Sequence, residues 1–311
     1  MNRPRTMDAA QGKWTNILSL FGMERSFLSG KHGPCPMCGG TDRFRYDNKE
    51  GRGTFFCSNC GAGNGMDLVQ KLKGWDFKTA AAEIDRIVGN CEFQPSKPAM
   101  DDAKRKRLLN DLWQSGRVIS RNDQAGAYLA SRSLPLPANR AALRFVPTTR
   151  ATDGTDRPAM VAMVTGPDGM AASLHRTFLG PEGKADMDMP RALMPGTIPD
   201  GCAVRLSAVH GHRLGIAEGV ETALAASVLH DMPVWAAINA TMLAKWKAPE
   251  GVTKVVVFGD NDAKFGGHAA AYAVAHRIAC QKGMTADVRI PSRVGADWAD
   301  MLVHHRHEVA L

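Results

Sequence analysis

Two apolar runs in the second half of the chain, Leu214–Ala217 and Val255–Phe258, end abruptly in polar residues. Glu218 and Gly219 close the first; Gly259, Asp260, Asn261 and Asp262 close the second. Between them lie an Ala-rich helical segment (Thr222–Leu229), a short apolar run (Val234–Ile238) and a second helical stretch (Met242–Lys247). That order predicts strand, helix, strand, helix, strand, and the alternation implies a parallel sheet covered on both faces. A helix over about 267–281, a stop at Gly283, a strand at Ala286–Ile290 and a last helix led by Asp297-Trp-Ala-Asp300 continue it. Upstream, the runs Met160–Val164 and Ala172–Phe178 flank Gly166-Pro-Asp-Gly169, a hairpin signature. Residues 180–212, rich in Gly, Pro and Asp, predict loops and edge strands on the side of the strand ends.

The front of the chain follows helical spacing. Residues 1–30 read as a helix, with Trp14, Ile17, Leu18 and Phe21 at i, i+3, i+4, i+7. Met66–Leu72 and Phe77–Val88 predict two short amphipathic helices broken by Gly74. The turn-rich Gln94-Pro-Ser-Lys-Pro-Ala marks a first boundary. Asp101–Ala130 is helical in pattern, with Leu108, Leu109, Leu112 and Trp113 as its buried face, until Leu134-Pro-Leu-Pro-Ala stops it.

Composition changes this picture in one respect. A chain of 311 residues, 44% hydrophobic and 23% charged, is ordinary for a soluble multi-domain protein. No apolar stretch approaches the ~18 residues of a membrane span and no signal pattern leads the chain, so a cytoplasmic protein without membrane contact is expected. The charge, however, is uneven. Residues 1–150 hold 24 Lys+Arg against 14 Asp+Glu, whereas residues 151–311 hold 15 against 17. A basic front suits a polyanion and a slightly acidic rear suits cations; a merely soluble basic surface is the plainer alternative.

Cys35-Pro-Met-Cys38 and Cys57-Ser-Asn-Cys60 stand 18 residues apart. Each C-x-x-C can point two thiolates at one ion, and two such knuckles complete the closed tetrahedral site of a structural zinc ribbon. A single pair would equally suit redox chemistry; two pairs at this spacing, each followed by Gly, favour zinc. Cys91, Cys202 and Cys280 have no partner spacing and read as inert thiols, and His304-His-Arg-His307 as a terminal charge cluster. Between the knuckles, Arg43 and Arg45 alternate with Phe44 and Tyr46, placing charges on one strand face and rings on the other. Exposed rings beside arginines would suit single-stranded bases, whereas inward rings would pack the small ribbon.

In parallel sheets the chemistry sits beyond the carboxyl ends of the strands, where Glu218, Asp260 and Asp262 all fall. Three carboxylates on one rim repel unless a hard cation neutralises them, which points to Mg²⁺ and phosphoryl transfer. Glu221 is either a helix N-terminal acid or a supporting group. His175, Arg176 and Lys184, on the strand and loop before the parallel sheet, are candidate triphosphate contacts or ordinary surface charge.

Together these segments resemble the Toprim domain of primases, topoisomerases and some nucleases and, with the ribbon included, the phage- and plasmid-type primases. The resemblance rests on Cys35-Pro-Met-Cys-Gly-Gly-Thr-Asp-Arg-Phe-Arg45, Cys57-Ser-Asn-Cys-Gly61, Gly65-Met-Asp-Leu-Val69, Glu218-Gly-Val-Glu-Thr-Ala-Leu-Ala225, Asp260-Asn-Asp262 and Asp297-Trp-Ala-Asp300. It implies an α/β multi-domain chain: a zinc-ribbon domain over 1–95, a helical linker region over 96–150, and a Toprim catalytic domain over 151–311 with its parallel sheet and preceding hairpin. It also implies a nucleotidyltransferase that makes RNA primers on single-stranded DNA from ribonucleoside triphosphates. Glu218 would be its acid/base, Asp260 and Asp262 its Mg²⁺ or Mn²⁺ ligands, Asp297 or Asp300 their support, and the ribbon its template reader. No P-loop motif occurs in the chain, so a helicase would act in trans. The three tyrosines lie in no nucleophile context, which speaks against a topoisomerase. A Toprim nuclease and a non-catalytic single-strand-binding accessory that recruits a helicase are the alternatives.

Overall fold

A computed structural model describes residues 6–91 and 101–309. The chain divides into two compact units, Met1–Ala99 and Met100–Leu311. The turn-rich boundary expected at 94–99 lies outside the described residues.

In the first unit the expected long N-terminal helix is two short ones, Thr6–Ala10 and Trp14–Leu20. They part at Gly12, whose φ of 75° breaks the helix and whose N–H reaches the Gly51 carbonyl at 2.7 Å. Four antiparallel strands follow in sequence order: Gly33–Cys35, Gly39–Tyr46, Phe55–Cys57 and Gly61–Gly63. The helix Gly65–Lys73 opens with a capping box in which Asn64 and Asp67 satisfy each other's backbone N–H groups. A second helix, Phe77–Ile87, is capped by Asp76. Trp14, Ile17 and Leu18 are fully buried with Phe44, Phe55, Met66, Leu68 and Ile84. Trp14 lies flat on Gly65, where a Cβ would meet the indole at 2.1 Å, so only glycine fits there.

The second unit joins an antiparallel sheet to a parallel one. The antiparallel sheet runs in spatial order Arg191–Leu193, Ala171–Gly180, Asp156–Thr165, Leu143–Arg150 and Arg117–Val118, with Gly183–Lys184 turning back on Ala171–Gly180. The expected hairpin is its centre. The region 96–150, expected to be a helical linker, contributes two of these strands, Arg117–Val118 within the stretch expected to be helical and Leu143–Arg150 after its stop. Its helical part is Asp102–Ser115 and Gln124–Ser131, separated at Gly116, which lies against Val146 with no room for a side chain. Leu109, Leu112 and Trp113 pack as expected, but Leu108 is exposed.

The parallel sheet has the order Val234–Ala236, Arg213–Ala217, Lys254–Phe258, Thr285–Arg289. The helix Val220–Leu229 is buried from Val220 to Ala226, sharing a core with Leu143, Met160 and Val164 of the other sheet and with Trp298 of the last helix, Trp298–Val309. The helices Ala240–Lys245 and Gly266–Ala279 cover the opposite face over Leu214, Val255 and Val257. Cys202–Val204 ties the sheets together: Ala203 bridges Thr165 of the one and Val204 bridges Ala236 of the other. Among the described residues no helix is long and apolar enough to cross a membrane.

Candidate zinc and acidic centres

The thiol sulfurs of Cys35, Cys38, Cys57 and Cys60 all lie within 4.8 Å of one another. Cys35–Cys60 and Cys38–Cys57 are separated by 3.9 and 3.6 Å, too far for a disulfide and matching the roughly 3.8 Å edge of a tetrahedron with 2.3 Å metal–sulfur bonds. Two β-turn knuckles build the site. Gly39 and Gly61 take left-handed φ values of 66° and 82° immediately after the second cysteine of each pair, turning the chain back into the next strand. The donor set fits a structural zinc ion.

On the strand between the knuckles the rings point inward. Phe44 and Tyr46 are 1% and 3% exposed; Phe44 stacks on Phe55, and Tyr46 shares a hydrogen bond with Thr15. Neither ring can stack on a base, which corrects the expectation that they contact nucleic acid. The physical reason is that so small a sheet needs both rings for its core. Arg43 and Arg45 keep the outer face, and Arg45 lies opposite Phe56, an exposed ring that sequence reasoning did not single out.

At the parallel sheet, Arg213–Ala217 and Lys254–Phe258 are adjacent strands, with Ala217 level with Phe258. Glu218 and Asp260 therefore leave neighbouring strand ends, about 5 Å apart sideways. Burial raises the proton affinity of Glu218; Arg191 and the Ala240 N–H oppose this and Asp262 adds to it. Asp260 is pushed up to about 6 by burial first, then by Asp297, Glu218 and Asp262. Its Oδ1 is buried with no hydrogen-bond partner. An acid oxygen withdrawn from water, unpartnered and ringed by like charge is the donor a hard cation would satisfy.

Asp262 behaves differently. Its two oxygens accept the backbone N–H groups of Lys264, Gly266 and Gly267 at 3.0, 3.0 and 2.6 Å, which lowers its proton affinity. The approach is close: a Cβ on Gly267 would lie 2.4 Å from the Asp260 carbonyl oxygen. Asp262 thus shapes the loop that presents Asp260. Asp297 and Asp300 cap each other's backbone N–H at the start of the last helix, and both face Arg132, at 3.4 and 3.8 Å. Trp298 fixes the same corner through its indole N–H to the Gly259 carbonyl at 3.1 Å.

Glu221 is held by partners of its own. Its Oε1 accepts the Tyr128 hydroxyl at 2.7 Å and pairs with Lys184 at 3.1 Å, while the residue is 5% exposed. Burial opposes its ionisation, but Lys184, Arg191 and the Tyr128 hydroxyl outweigh burial and hold the carboxyl at about 2. His175 is buried beside them and pulled down to about 4, chiefly by burial. Arg176, one residue on, turns to the other face, donating to the Arg150 carbonyl and lying over Phe178. Lys184 and His175 thus join one cluster, and Arg176 serves the sheet. Sequence reasoning missed Arg191, whose charge acts on Glu218, Asp260, Glu221, His175 and Lys184 alike. It also missed the role of Tyr128 and Arg132, the residue that closes the helix Gln124–Ser131.

Three family models match the chain. One described as the zinc-binding domain of primase-helicase covers residues 30–66, a domain of unknown function covers 103–206, and a Toprim domain covers 213–308. Among solved structures, the zinc-binding and RNA polymerase domains of the Aquifex aeolicus primase match at 15% identity and a TM-score of 0.47, over 99% of this chain and 84% of that one. The primase fragment of the bacteriophage T7 primase-helicase matches at 16% and 0.43, over 90% and 97%. A DNA primase domain from Pseudomonas aeruginosa matches at 14% and 0.44, over 66% and 78%. The chain is a multi-domain α/β protein that ends in a Toprim domain. Its first unit carries a zinc ribbon of the primase-helicase kind.

Proposed function

We propose that the protein is a DNA primase that builds short RNA primers on single-stranded DNA, working with a helicase in the replication of a phage, plasmid or other mobile element. One observation carries the reading: the unpartnered, buried Asp260 Oδ1 beside Glu218 at adjacent parallel strand ends, in a chain that also bears a primase-type zinc ribbon. Asp260 would hold Mg²⁺ or Mn²⁺, with Asp262 contributing lone pairs left over from its loop bonds and Glu218 standing beside the ion. The ion would supply charge neutralisation for the phosphates in an in-line displacement.

The chain's own groups do the rest. Glu218, its proton affinity raised by burial, is suited to take the proton of the attacking 3′-hydroxyl. Arg191 lies in the field of both the acids and the Lys184–His175 cluster, which suits it to a triphosphate bridging the two. In the first unit, Arg43 and Arg45 would track the template backbone, with Phe56 as their ring.

Incubation with single-stranded DNA, four labelled ribonucleotides and Mg²⁺ tests the reading. Short RNA is expected, and its loss in Asp260→Asn. Cut DNA would make the protein a Toprim nuclease, and neither product would make it a binding accessory.

A further inference from the structure

We infer that the outer face of the helix Gly266–Ala279, together with the loop before it, is a stacking track for the unpaired template strand leaving the acidic centre. The inference rests on the nucleotidyl-transfer reading above and adds a second single-strand site, on the Toprim unit itself.

Phe265 and Tyr272 are 66% and 58% exposed. With His268 between them, they fall at i, i+3 and i+7, on one face of the helix. The Phe265 and His268 rings meet edge to face at 5.4 Å. Phe265 also holds a φ of 59°, a left-handed conformation unfavourable for a bulky residue. Folding therefore gains little from a phenylalanine here beyond its contact with His268. The conformation is enforced by Asp262, whose carboxylate pins the N–H groups of Lys264, Gly266 and Gly267 on either side. The ring is consequently presented three residues from a candidate metal ligand.

A neighbouring loop continues the surface. Gly295 N–H bonds to the Asn261 carbonyl and Asn261 N–H to the Ala296 carbonyl, so the loop bearing exposed Arg293 and Val294 lies against the Asp260–Asp262 turn. Val294 is 68% exposed. The turn that leads to Phe265 thus carries exposed Lys264 and has the loop bearing exposed Arg293 against it. Rings spaced along a helix and flanked by positive charge match the faces of unpaired bases and their phosphates. They also discriminate between strands. In a paired product the bases already stack on one another, so only the unpaired strand, the template, offers free faces to a ring.

The test uses the full chain and an oligo(dT) carrying 5-iodouracil, without added Mg²⁺ or nucleotides, so that binding is read apart from synthesis. Photocrosslinks are expected at Phe265 or Tyr272. The double variant Phe265→Gly/Tyr272→Ser should bind oligo(dT) roughly fivefold or more weakly, with an unchanged salt slope because neither ring is charged, and should bind duplex DNA as before. Its melting temperature should not fall, since glycine accepts φ 59° freely; weaker binding is then not unfolding. Unchanged affinity with crosslinks only elsewhere overturns the inference and leaves the rings to a protein partner. A chain that crosslinks at the rings but makes no RNA keeps the track and removes the priming reading; RNA synthesis without ring crosslinks does the reverse.

Discussion

The Tyr128 hydroxyl donates to Glu221 Oε1 at 2.7 Å across 93 residues of sequence, and Lys184 reaches the same oxygen at 3.1 Å. One carboxylate oxygen thereby fastens the helix Gln124–Ser131 and the strand Gly183–Lys184 to the first turn of the Toprim helix, three residues beyond Glu218. Tyr128→Phe removes one hydrogen bond to a buried charge and should cost about 2 kcal/mol, read by denaturant unfolding of the second unit. Because the aromatic body stays, the variant should otherwise pack as before.

Glu221 also sets a pH dependence. Its carboxyl lies at about 2 in the folded chain against an ordinary 4.5, so its stabilisation is complete above pH 4.5 and is lost as pH falls from there towards 2. Glu221→Gln should destabilise the second unit by roughly 3 kcal/mol at neutral pH, since Lys184 is left without its anion. Across the same acid window the variant's loss of stability should be shallower than the native chain's. Melting curves at several pH values check both.

Asp260→Asn should act in two directions. Divalent-metal binding, read by calorimetry, should disappear. The metal-free protein should melt slightly higher, by about 1 kcal/mol or roughly 3 °C, because a desolvated charge facing Asp297, Glu218 and Asp262 is gone. Glu218→Gln should keep more metal affinity than Asp260→Asn while losing activity as fully.

Zinc removal should unfold one unit alone. A four-stranded ribbon of short strands buries too little apolar surface to stand without its ion. Cys57→Ser should therefore abolish the first unit's melting transition and release zinc, while the second unit, with its own core, still melts cooperatively.

The strand-ending acids and the cysteine pairs were legible because each is local: a period change or a fixed spacing marks it. The cluster around Glu221 was not, since Tyr128, Lys184 and Arg191 meet only once the antiparallel sheet has its register. Leu193 must pair with His175, and Gly180 with Gly183, before those charges converge. The strand Leu143–Arg150 was hidden by Pro147, which sequence patterns treat as a strand breaker. Here Pro147 falls within a register shift between Val146 and Thr149, beyond the two-residue strand that covers the other side, so its missing N–H costs no ladder bond. The inward turn of Phe44 and Tyr46 could not be read from alternation, which separates two faces without saying which one the core takes.

The short bridge at Val204 has a consequence for association. Its two backbone hydrogen bonds occupy the outer N–H and C=O of Ala236, at the otherwise apolar margin Val234–Ala236 of the parallel sheet. The opposite margin, Thr285–Arg289, is guarded by side chains instead, with Asp287 and Arg289 exposed along it. One border is thus partly covered by the chain's own backbone and the other is guarded by charge. Both devices work against edge-to-edge pairing of this sheet with a neighbouring molecule.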